Sequence, residues 1–436
     1  MKRRKFVQTV SAAGLGLAAP GMRSWAFSGS PAEKVVVAVM GLNGRGSVLA
    51  KGFARTPHSE VGYLCDVDSV VLTKAAAAVG PLQARPPKAI GDFRRALEDK
   101  NVDALVIAAP DHWHTPAAIL ALQAGKHVYV EKPCGHNPRE GELLVDAQRK
   151  YQRAVQMGTQ QRSAQRSIEL VQALNEGLIG KPFQARAWYA NTRGTIGRGK
   201  EAPVPGNLDY ELWQGPAPRS PYRDNVIHYN WHWFHRWGTG EICNNGTHEI
   251  DVSRWALGVD TCSKVVSTGG RYQFDDDWEF TDTQEVTFEF AGGKTIIWQG
   301  QSCNGLPTFG RSRGVAVLGT GGSVVVDRDG YVVYDQKGQV IREAKAVTQT
   351  DAVNVLSDDE MTATHIANFI DAVRTGAALH QPIAEGAKSV LLCHLGNIAQ
   401  STGRALHIDA SGHIVDDADA MKQWQREYAP GWMPVV

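Results

Sequence analysis

The chain has 436 residues, which is too many for a single hydrophobic core and predicts two or three domains. Hydrophobic residues make up 43% of the chain and charged residues 21%, as is usual for a globular protein in water. The net charge is only +1, so no charge excess exists to hold nucleic acid or an anionic membrane. No apolar run after residue 30 approaches the ~18 residues of a membrane span.

Residues 1–30 differ in character from the rest of the chain. They begin with Arg3-Arg4-Lys5-Phe6-Val7, continue with a weakly hydrophobic Ala/Gly/Leu stretch and then reach Pro20. This order is typical of a secretory signal, and the paired arginines indicate the twin-arginine type, which exports folded proteins. We therefore predict a periplasmic or otherwise exported protein. The alternative is a basic, disordered N-terminus.

A glycine-rich turn follows the first predicted strand, residues 34–40, and precedes a helical pattern. Glycines at such a turn let the backbone approach a pyrophosphate, which the N-terminus of the helix then stabilises. Asn43 stands where the usual spacing has a glycine, and we expect it to adopt the left-handed backbone that the turn needs. The predicted cofactor-binding residues of this turn are Gly41, Asn43, Gly44, Arg45 and Gly46.

Asp66 lies at the end of the second predicted strand, Val61 to Cys65, and 20 residues after Gly46. A carboxylate at this place binds the adenosine ribose hydroxyls and repels a 2′-phosphate. Asp66 therefore favours NAD over NADP, although Arg45 keeps NADP open as the less favoured cofactor. The alternative for Asp66 is an ordinary helix cap.

Helices and strands continue to alternate after Asp66, which predicts a doubly wound parallel sheet. We assign residues 31–155 to this Rossmann domain and residues 156–436 to a C-terminal domain. The further elements are a helix over 92–98, a strand over 104–109, a helix over 115–124 and a strand that leads into Glu131-Lys132-Pro133.

Two segments carry a family signature, Ala-Pro-Asp-His-Trp-His-Thr-Pro over 109–116 and Val-Glu-Lys-Pro over 130–133. Together with the glycine turn and the helix over 368–373, they resemble the glucose–fructose oxidoreductase/inositol dehydrogenase/MocA-like family, in its twin-arginine-exported branch. The resemblance implies an α/β fold with an N-terminal Rossmann domain and a C-terminal α/β domain. In that family the second domain has a large, mostly antiparallel sheet that carries the substrate face and often makes oligomer contacts. Strand patterns occur at 183–191, 264–274, 283–290, 294–300, 314–319 and 331–335.

The resemblance assigns a catalytic role to Lys132, the lysine of the Glu-Lys-Pro motif. A lysine facing the nicotinamide can hydrogen-bond a sugar hydroxyl and tune the loss of its proton. Glu131 is expected to orient Lys132. The same resemblance places five further residues beside the cofactor: Pro110, His112, His114, Glu131 and Gln160.

The second family signature appears as Asn244-Asn245-Gly246-Thr247-His248. His248 matches the histidine that the family uses as acid/base or substrate ligand, whereas Asn244 replaces a catalytic aspartate of inositol dehydrogenase-like members. An amide cannot accept a proton at neutral pH, so the base must be His248, Lys132 or another histidine. We favour His248 because imidazole titrates near neutral pH. The alternative is a core histidine bound to a backbone carbonyl.

The aromatic block over 228–237 supplies ring faces that stack on sugars. Its alternative role is a packed core or a subunit interface. A metal bound by its histidines is disfavoured because the intervening rings do not suit a closed shell, and we predict no metal. Asp275-Asp276-Asp277 is expected to be a solvated acidic turn. The predicted substrate-binding residues are Arg162, Asn191, Trp231, His232, His235 and Asn245.

We therefore expect an NAD-dependent oxidoreductase that acts on a hydroxyl of a sugar or glycoside and forms a homo-oligomer through its C-terminal sheet. An exported compartment lacks soluble NAD, so the cofactor would have to be held tightly and regenerated in each turnover. One alternative is a glycosidase that oxidises a hydroxyl transiently and breaks the glycosidic bond by elimination. A second alternative, suggested by Asn244, is a non-catalytic sugar-binding module.

Overall fold

The computed structural model describes residues 34–345 and 360–436. The predicted export signal, residues 1–30, lies outside these ranges. Within them, the chain forms two sheets that are layered with helices. None of the helices in the described ranges is both long enough and apolar enough to cross a membrane.

The first sheet has six parallel strands in the order β3-β2-β1-β4-β5-β6, which is the doubly wound order of dinucleotide-binding domains. The predicted Rossmann sheet is therefore confirmed. Its central strands are buried along most of their length, which explains their β-branched composition. The strands are β1 (Val35–Met40), β2 (Ser59–Cys65), β3 (Lys88–Ile90), β4 (Ala104–Ile107), β5 (His127–Val130) and β6 (Val155–Met157). The helices are α1 (Arg45–Arg55), α2 (Ser69–Val79), α3 (Arg94–Leu97), α4 (His114–Gln123) and α5 (Pro138–Tyr151).

The second sheet, built from later residues of the described chain, has the order β15-β14-β13-β12-β7-β10-β9-β8-β16-β17, and β11 pairs with β7. Its neighbours are antiparallel except for the β7–β10 pair, so the predicted mostly antiparallel sheet is confirmed. The strands are β7 (Pro182–Thr192), β8 (Cys262–Gly270), β9 (Thr283–Phe290), β10 (Thr295–Gln301), β11 (Cys303–Asn304), β12 (Arg313–Gly319), β13 (Gly322–Val326), β14 (Gly330–Tyr334), β15 (Val340–Lys345), β16 (Leu406–Ile408) and β17 (Ile414–Val415). The helices are α6 (Gln165–Asn175), α7 (Tyr210–Gln214), α8 (Thr247–Leu257), α9 (Glu360–Thr375), α10 (Ile383–Thr402) and α11 (Ala418–Met421).

One face of the second sheet carries the larger core of this half of the molecule. Buried residues alternate along β9 and β10, as expected when only one face of a strand packs inward. Helices α8 and α10 cover that face, and Ile250 and Leu395 contribute to its hydrophobic cluster. Because α8 packs beside β7, its N-terminal end is held at the edge of the sheet that faces the first domain.

Helix α9 returns from the C-terminal region of the sequence to the first sheet. Its residues Ile366, Phe369 and Ile370 belong to the same buried cluster as Val35 and Val37 of β1. The Phe369 ring is fully buried and makes edge-to-face contacts with Phe53, at 6.2 Å between ring centroids, and with Tyr129, at 5.8 Å. The core of the Rossmann sheet is thus completed by a distant part of the chain.

The acidic run over 275–277 differs from the prediction of a solvated turn. Only Asp275 is solvated, with 94% of its side chain exposed, whereas 1% of the Asp276 side chain is exposed. Asp276 accepts hydrogen bonds from Thr195 Oγ1 (2.7 Å) and from the backbone N–H of Ile196 (2.9 Å). The Asp276 carboxylate therefore folds the loop after β7. The strand β8 ends at Gly270 instead of continuing to 274, and the backbone N–H groups of Tyr272 and Gln273 donate to Asp282 at 2.8 and 3.1 Å.

Removal of the Phe369 side chain is expected to destabilise the dinucleotide-binding half of the molecule. Phe369→Ala leaves a cavity among Phe53, Tyr129 and β1, and such truncations cost about 3–5 kcal/mol in the free energy of unfolding. Urea denaturation measures the loss, with Phe369→Leu as the control that retains most of the volume. A loss below about 1 kcal/mol for Phe369→Ala would show that α9 does not complete this core.

Candidate active site

A single cleft runs between the carboxyl ends of the first-sheet strands and the near edge of the second sheet. Residues from both halves of the chain line this cleft, so the two halves form one site together. From the first half come Gly41, Asn43, Gly44, Arg45, Asp66, Pro110, Asp111, His114, Glu131, Lys132 and Gln160. From the second half come Tyr189, Asn191, Arg193, His228, Tyr229, Trp231, His232, Asn244, Asn245 and His248.

The glycine turn between β1 and α1 has the backbone that phosphate binding requires. Gly44 is the N-cap of α1 with φ of 59°, and α1 has neither an acidic residue in its first turn nor a side-chain cap. A Cβ on Gly46 would lie 1.6 Å from the carbonyl oxygen of Gly41, so only glycine fits there. The open, uncapped helix N-terminus suits an anionic pyrophosphate. The expectation for Asn43 was wrong, because the left-handed positions are Gly41 and Gly44.

Asp66 lies at the end of β2, where its carboxylate accepts the backbone N–H groups of Leu42 (2.7 Å) and Asp68 (2.9 Å). Burial raises its pKa, an effect that these hydrogen bonds oppose. The alternative role as a helix cap falls instead to Asp68, which accepts from the first turn of α2. Arg45 points elsewhere, because its Nε donates to Glu131 at 2.9 Å. A carboxylate at the ribose position, without a free arginine beside it, fits NAD.

A strap over 207–228 closes the end of the cleft that Asp66 marks. The backbone of Asn207 accepts the N–H of Ser69 at 2.9 Å, and its side chain donates to Asp68 at 2.9 Å. His228 Nε2 lies 2.9 Å from the other oxygen of Asp68. Since Leu212 and Trp213 of the same strap line the cleft, the second half of the chain covers a site that belongs to the first.

Lys132 links the two halves at the centre of the cleft. Its Nζ donates to the backbone oxygen of Asn244 at 2.7 Å and lies 3.3 Å from the Asn244 side-chain oxygen. Glu131 is held by Arg45 and by Gln160, whose Nε2 donates to it at 3.0 Å. Burial lowers the pKa of Lys132, while Glu131 and Asp111 oppose that shift. An ammonium has three N–H donors, so one is left for a bound hydroxyl.

Asn244 and His248 enter the cleft from one continuous helical segment. A π-helical turn over Ile242–Gly246 runs directly into α8, and such turns widen a helix at functional sites. His248 is 4% exposed, and burial with the nearby charges of Arg328 and Lys132 holds its pKa well below the usual value. At neutral pH its imidazole is therefore uncharged and able to accept a proton.

The wall of the cleft opposite the glycine turn is a network of paired charges. Arg193 Nε donates to Glu241 at 2.8 Å, and Arg313 Nε donates to Glu249 at 2.7 Å. Asn245 lies between them, since its amide contacts Glu241 and its oxygen accepts from Arg313 at 3.4 Å. Each buried charge thus has an opposite partner, and the wall offers hydrogen bonds without a net charge.

The aromatic block over 228–237 divides between the cleft and the core. Trp231 and His232 line the cleft and stack on each other with their ring centroids 3.6 Å apart. Trp233 and Trp237 are buried in the protein, as the packed-core alternative expects. The block forms a 3₁₀ turn over Asn230–Trp233 instead of a regular helix. No group of three or more metal-binding side chains occurs in the described parts of the chain.

Four predicted site residues do not line the cleft: Gly46, which packs against the Gly41 carbonyl inside the glycine turn, and the three residues His112, Arg162 and His235. His112 is fully buried, and its Nε2 contacts the carbonyl oxygen of Trp213 at 3.0 Å. Arg162 forms an ion pair with Asp251 of α8 at 2.8 Å. Both side chains are buried, and a buried carboxylate is costly unless an opposite charge lies beside it. His235 is exposed, and its ring packs on Phe280 at 4.0 Å between centroids. These positions do not bring the side chains to a substrate in this cleft.

Several cleft residues were not among the predicted site residues. Asp111 is buried beside Lys132 and accepts a hydrogen bond from Thr239. Tyr189 is the second such residue, and it lines the cleft together with Arg193, which was expected there beside Asn191, and with Tyr229 of the aromatic block. Asp111 belongs to the family motif over 109–116, so its place in that motif could have predicted it as a site residue. Tyr189 had only the alternation of β7 to indicate which face it takes.

Replacement of Gly46 by alanine is expected to abolish tight dinucleotide binding. The added methyl group would collide with the Gly41 carbonyl, and the backbone on both sides is fixed. Calorimetric titration of protein freed of bound nucleotide should show an affinity for NAD at least about 10-fold weaker, which equals about 1.4 kcal/mol. Gly80→Ala is the matched control, because Gly80 is helical and a Cβ there meets nothing within 4 Å. Equal NAD affinity in both variants would contradict the assignment of the turn.

Two family models match the chain. "Oxidoreductase family, NAD-binding Rossmann fold" matches residues 35–159, and "Oxidoreductase family, C-terminal alpha/beta domain" matches residues 169–309. The first match covers the six-stranded sheet. The second covers most of the cleft wall opposite the glycine turn, with the exception of Arg313. The predicted cofactor class is therefore confirmed, since the N-terminal domain is an NAD-binding Rossmann domain.

Individual relatives are more distant. A glycosyl hydrolase family 109 protein of Saccharopolyspora erythraea is 29% identical over 212 residues, which are 44% of this chain and 46% of the relative. The chain thus matches less than half the length of that curated relative. The solved aldose-aldose oxidoreductase of Caulobacter crescentus has a TM-score of 0.64 and 18% identity, over 86% of this chain and 100% of the other. A levoglucosan dehydrogenase in complex with NADH and levoglucosan has a TM-score of 0.65 and 18% identity, over 86% and 99%. The chain belongs to the glucose–fructose oxidoreductase/inositol dehydrogenase/MocA-like family of oxidoreductases.

Proposed function

We propose that the protein oxidises a hydroxyl group of a sugar or glycoside to a carbonyl, and reduces such a carbonyl back to a hydroxyl, with an NAD that it retains. The observation that carries this proposal is the contact between Lys132 and Asn244, with His248 facing the same cleft. The three side chains lie at the carboxyl edge of the Rossmann sheet, where a bound nicotinamide enters reactions in this fold. The wall opposite is polar and aromatic, as sugar binding requires.

NAD held by the glycine turn and Asp66 would supply the hydride acceptor for oxidation of the carbinol carbon and, once reduced, the hydride donor for the reverse reaction. The remaining N–H donor of Lys132 binds the reacting hydroxyl and favours the loss of its proton. The neutral imidazole of His248 accepts that proton, because the Asn244 amide cannot. Asn244 holds the lysine in place through its backbone and side-chain oxygens.

The strap over 207–228 supports a cofactor that stays bound between turnovers. A dinucleotide at the Asp66 end would be enclosed by side chains from both halves of the chain, and release would require the contacts of Asp68 with Asn207 and His228 to open. Retention of this kind suits the proposed export of the folded protein by the twin-arginine route. We also propose that the outer face of the second sheet joins copies of the chain.

A second candidate is a glycosidase without net redox change. Curated relatives named as glycosyl hydrolase family 109 proteins favour it. Transient oxidation of a hydroxyl acidifies the neighbouring C–H, so that the glycosidic bond breaks by elimination. Such a cycle consumes no cofactor, which agrees with the enclosing strap.

Purified mature protein that is denatured is expected to release NAD. Native protein given a panel of glycosides should form a ketone, release an aglycone, or do both. Lys132→Met should lower turnover by about 10²–10⁴-fold, the usual contribution of a positioned proton-transfer group. Lys74→Met, on the exposed side of α2, is the control. Absence of released dinucleotide, together with no binding of added NAD or NADP, would refute the proposed function. Sugar binding without turnover would instead favour a non-catalytic module.

The pH dependence of turnover is expected to identify the base. Because the pKa of His248 lies below the usual value of about 6.5, its neutral form persists as the pH falls below that value. The acidic limb of kcat should therefore lie below about pH 6.5 and disappear in His248→Asn, which loses most turnover at every pH. An acidic limb centred above about pH 7 would assign the base to Lys132 instead.

A further inference from the structure

Arg193 is placed at the cleft but is not free to bind an anionic substrate. Its guanidinium is 14% exposed and donates to Glu241, whose other contacts include a hydrogen bond from Ser302 at 2.9 Å. The guanidinium also lies over the Trp233 ring, 5.0 Å from its centroid. Charge and stacking thus fix the group in one orientation.

The remaining N–H groups of Arg193 are directed at two tyrosine hydroxyls. Nη1 donates to Tyr229 at 2.9 Å, and Nη2 donates to Tyr189 at 3.4 Å. Asn191 Nδ2 donates to the same Tyr189 oxygen at 2.7 Å. A phenol oxygen that accepts two hydrogen bonds has only its own proton left to offer. None of the described residues accepts that proton, and Tyr189 lines the cleft.

The surroundings of Tyr189 keep its phenolic hydroxyl protonated at neutral pH. Burial, with the nearby charge of Glu241, raises the pKa of Tyr189 to about 12. Two of the four histidines that line the cleft have the opposite property, because burial holds the pKa values of His232 and His248 well below the usual value. They enter the reaction uncharged and accept protons, so they cannot be its first proton donors.

We infer that Tyr189 is the proton donor to the oxygen of the glycosidic bond, with Arg193 and Asn191 as its positioning residues. The inference rests on the glycosidase candidate above. The donor-only hydroxyl fits an ether oxygen, which offers lone pairs and no proton. Arg193 also stabilises the phenolate that remains after transfer, since its cation contacts the same oxygen.

In the proposed reaction the glycosidic bond breaks by elimination, and water is added afterwards. After the hydroxyl has become a ketone, a neutral base removes the proton from the adjacent carbon. The electron pair of that C–H bond forms a C=C bond, the C–O bond to the aglycone breaks, and its oxygen takes the Tyr189 proton. Water then adds to the C=C bond: its oxygen bonds the carbon that carried the aglycone, its proton goes to the phenolate, and the protonated base returns its proton to the adjacent carbon. Reduction of the ketone by the hydride removed in the first oxidation completes a net hydrolysis.

The test compares Tyr189→Phe with Tyr229→Phe, the other tyrosine bound by Arg193. Both variants are given alkyl and nitrophenyl glycosides of one sugar in deuterium oxide. A nitrophenolate leaves without a proton, whereas an alkoxide does not. Tyr189→Phe should therefore lower kcat for alkyl glycosides about 10²-fold or more and for nitrophenyl glycosides only a few-fold. Deuterium incorporation into recovered substrate should stay within about threefold of wild type, because it precedes bond cleavage.

Tyr229→Phe should change both substrate classes by the same factor. Released NAD and binding of the product sugar by calorimetry are measured in each variant to show that folding and binding persist. Equal leaving-group dependence in the two variants would overturn the role of Tyr189 and leave the glycosidase standing. If wild-type protein exchanges deuterium but releases no aglycone, the role of Tyr189 is overturned, whereas the proposed hydroxyl oxidation is still supported. Neither exchange nor release in wild type would refute the proposed function itself, and the inference with it.

Discussion

The site depends on one partly buried ammonium group. Lys132 follows the end of a first-sheet strand and donates to Asn244 in the π-helical turn that precedes α8, so this side chain ties the two halves of the molecule together at the site. A cation removed from water is costly unless opposite charge lies near it, and Glu131 and Asp111 supply that charge. Arg45 and Gln160 then hold Glu131. Lys132, the glycine turn and the helical segment of His248 are thus members of one hydrogen-bonded assembly.

The substrate wall follows the same electrostatic principle. Arg193 is paired with Glu241, and Arg313 with Glu249, so neither arginine presents an uncompensated charge to the cleft. Fixed dipoles and hydroxyl groups dominate the surface that a ligand meets. Such a surface favours a neutral, polyhydroxylated ligand over a phosphate or a carboxylate, because the ligand loses water without gaining an ion pair. Preorganisation of this kind reduces the rearrangement needed when charge develops during reaction.

Sequence patterns predicted the parts of the structure that local physics controls. The buried strands, the glycine turn and the strand ends at 66 and 131 followed from residue types and spacing, and most strands of the second sheet did as well. The errors have long-range causes. Arg162 binds Asp251 from a distant helix, and the aromatic block divides because Trp233 stacks on Trp278. The strap contact between His228 and Asp68 joins residues 160 positions apart, which no local pattern encodes. The hydroxyl group of Tyr189 is likewise oriented by side-chain contacts, in its case with Asn191 and Arg193.

The return of α9 to the first sheet has a consequence for the order of folding. Arg45 of the glycine turn contacts Thr362, which lies 317 positions further along the chain. The core beside β1 therefore stays open during synthesis until nearly the whole polypeptide has left the ribosome, although its sheet is made from the earliest residues described. Loop closure over such a span is slow and leaves apolar strands exposed in the interim. Until α9 arrives, the apolar side chains of β1 lack the cover that Ile366, Phe369 and Ile370 give them in the folded protein.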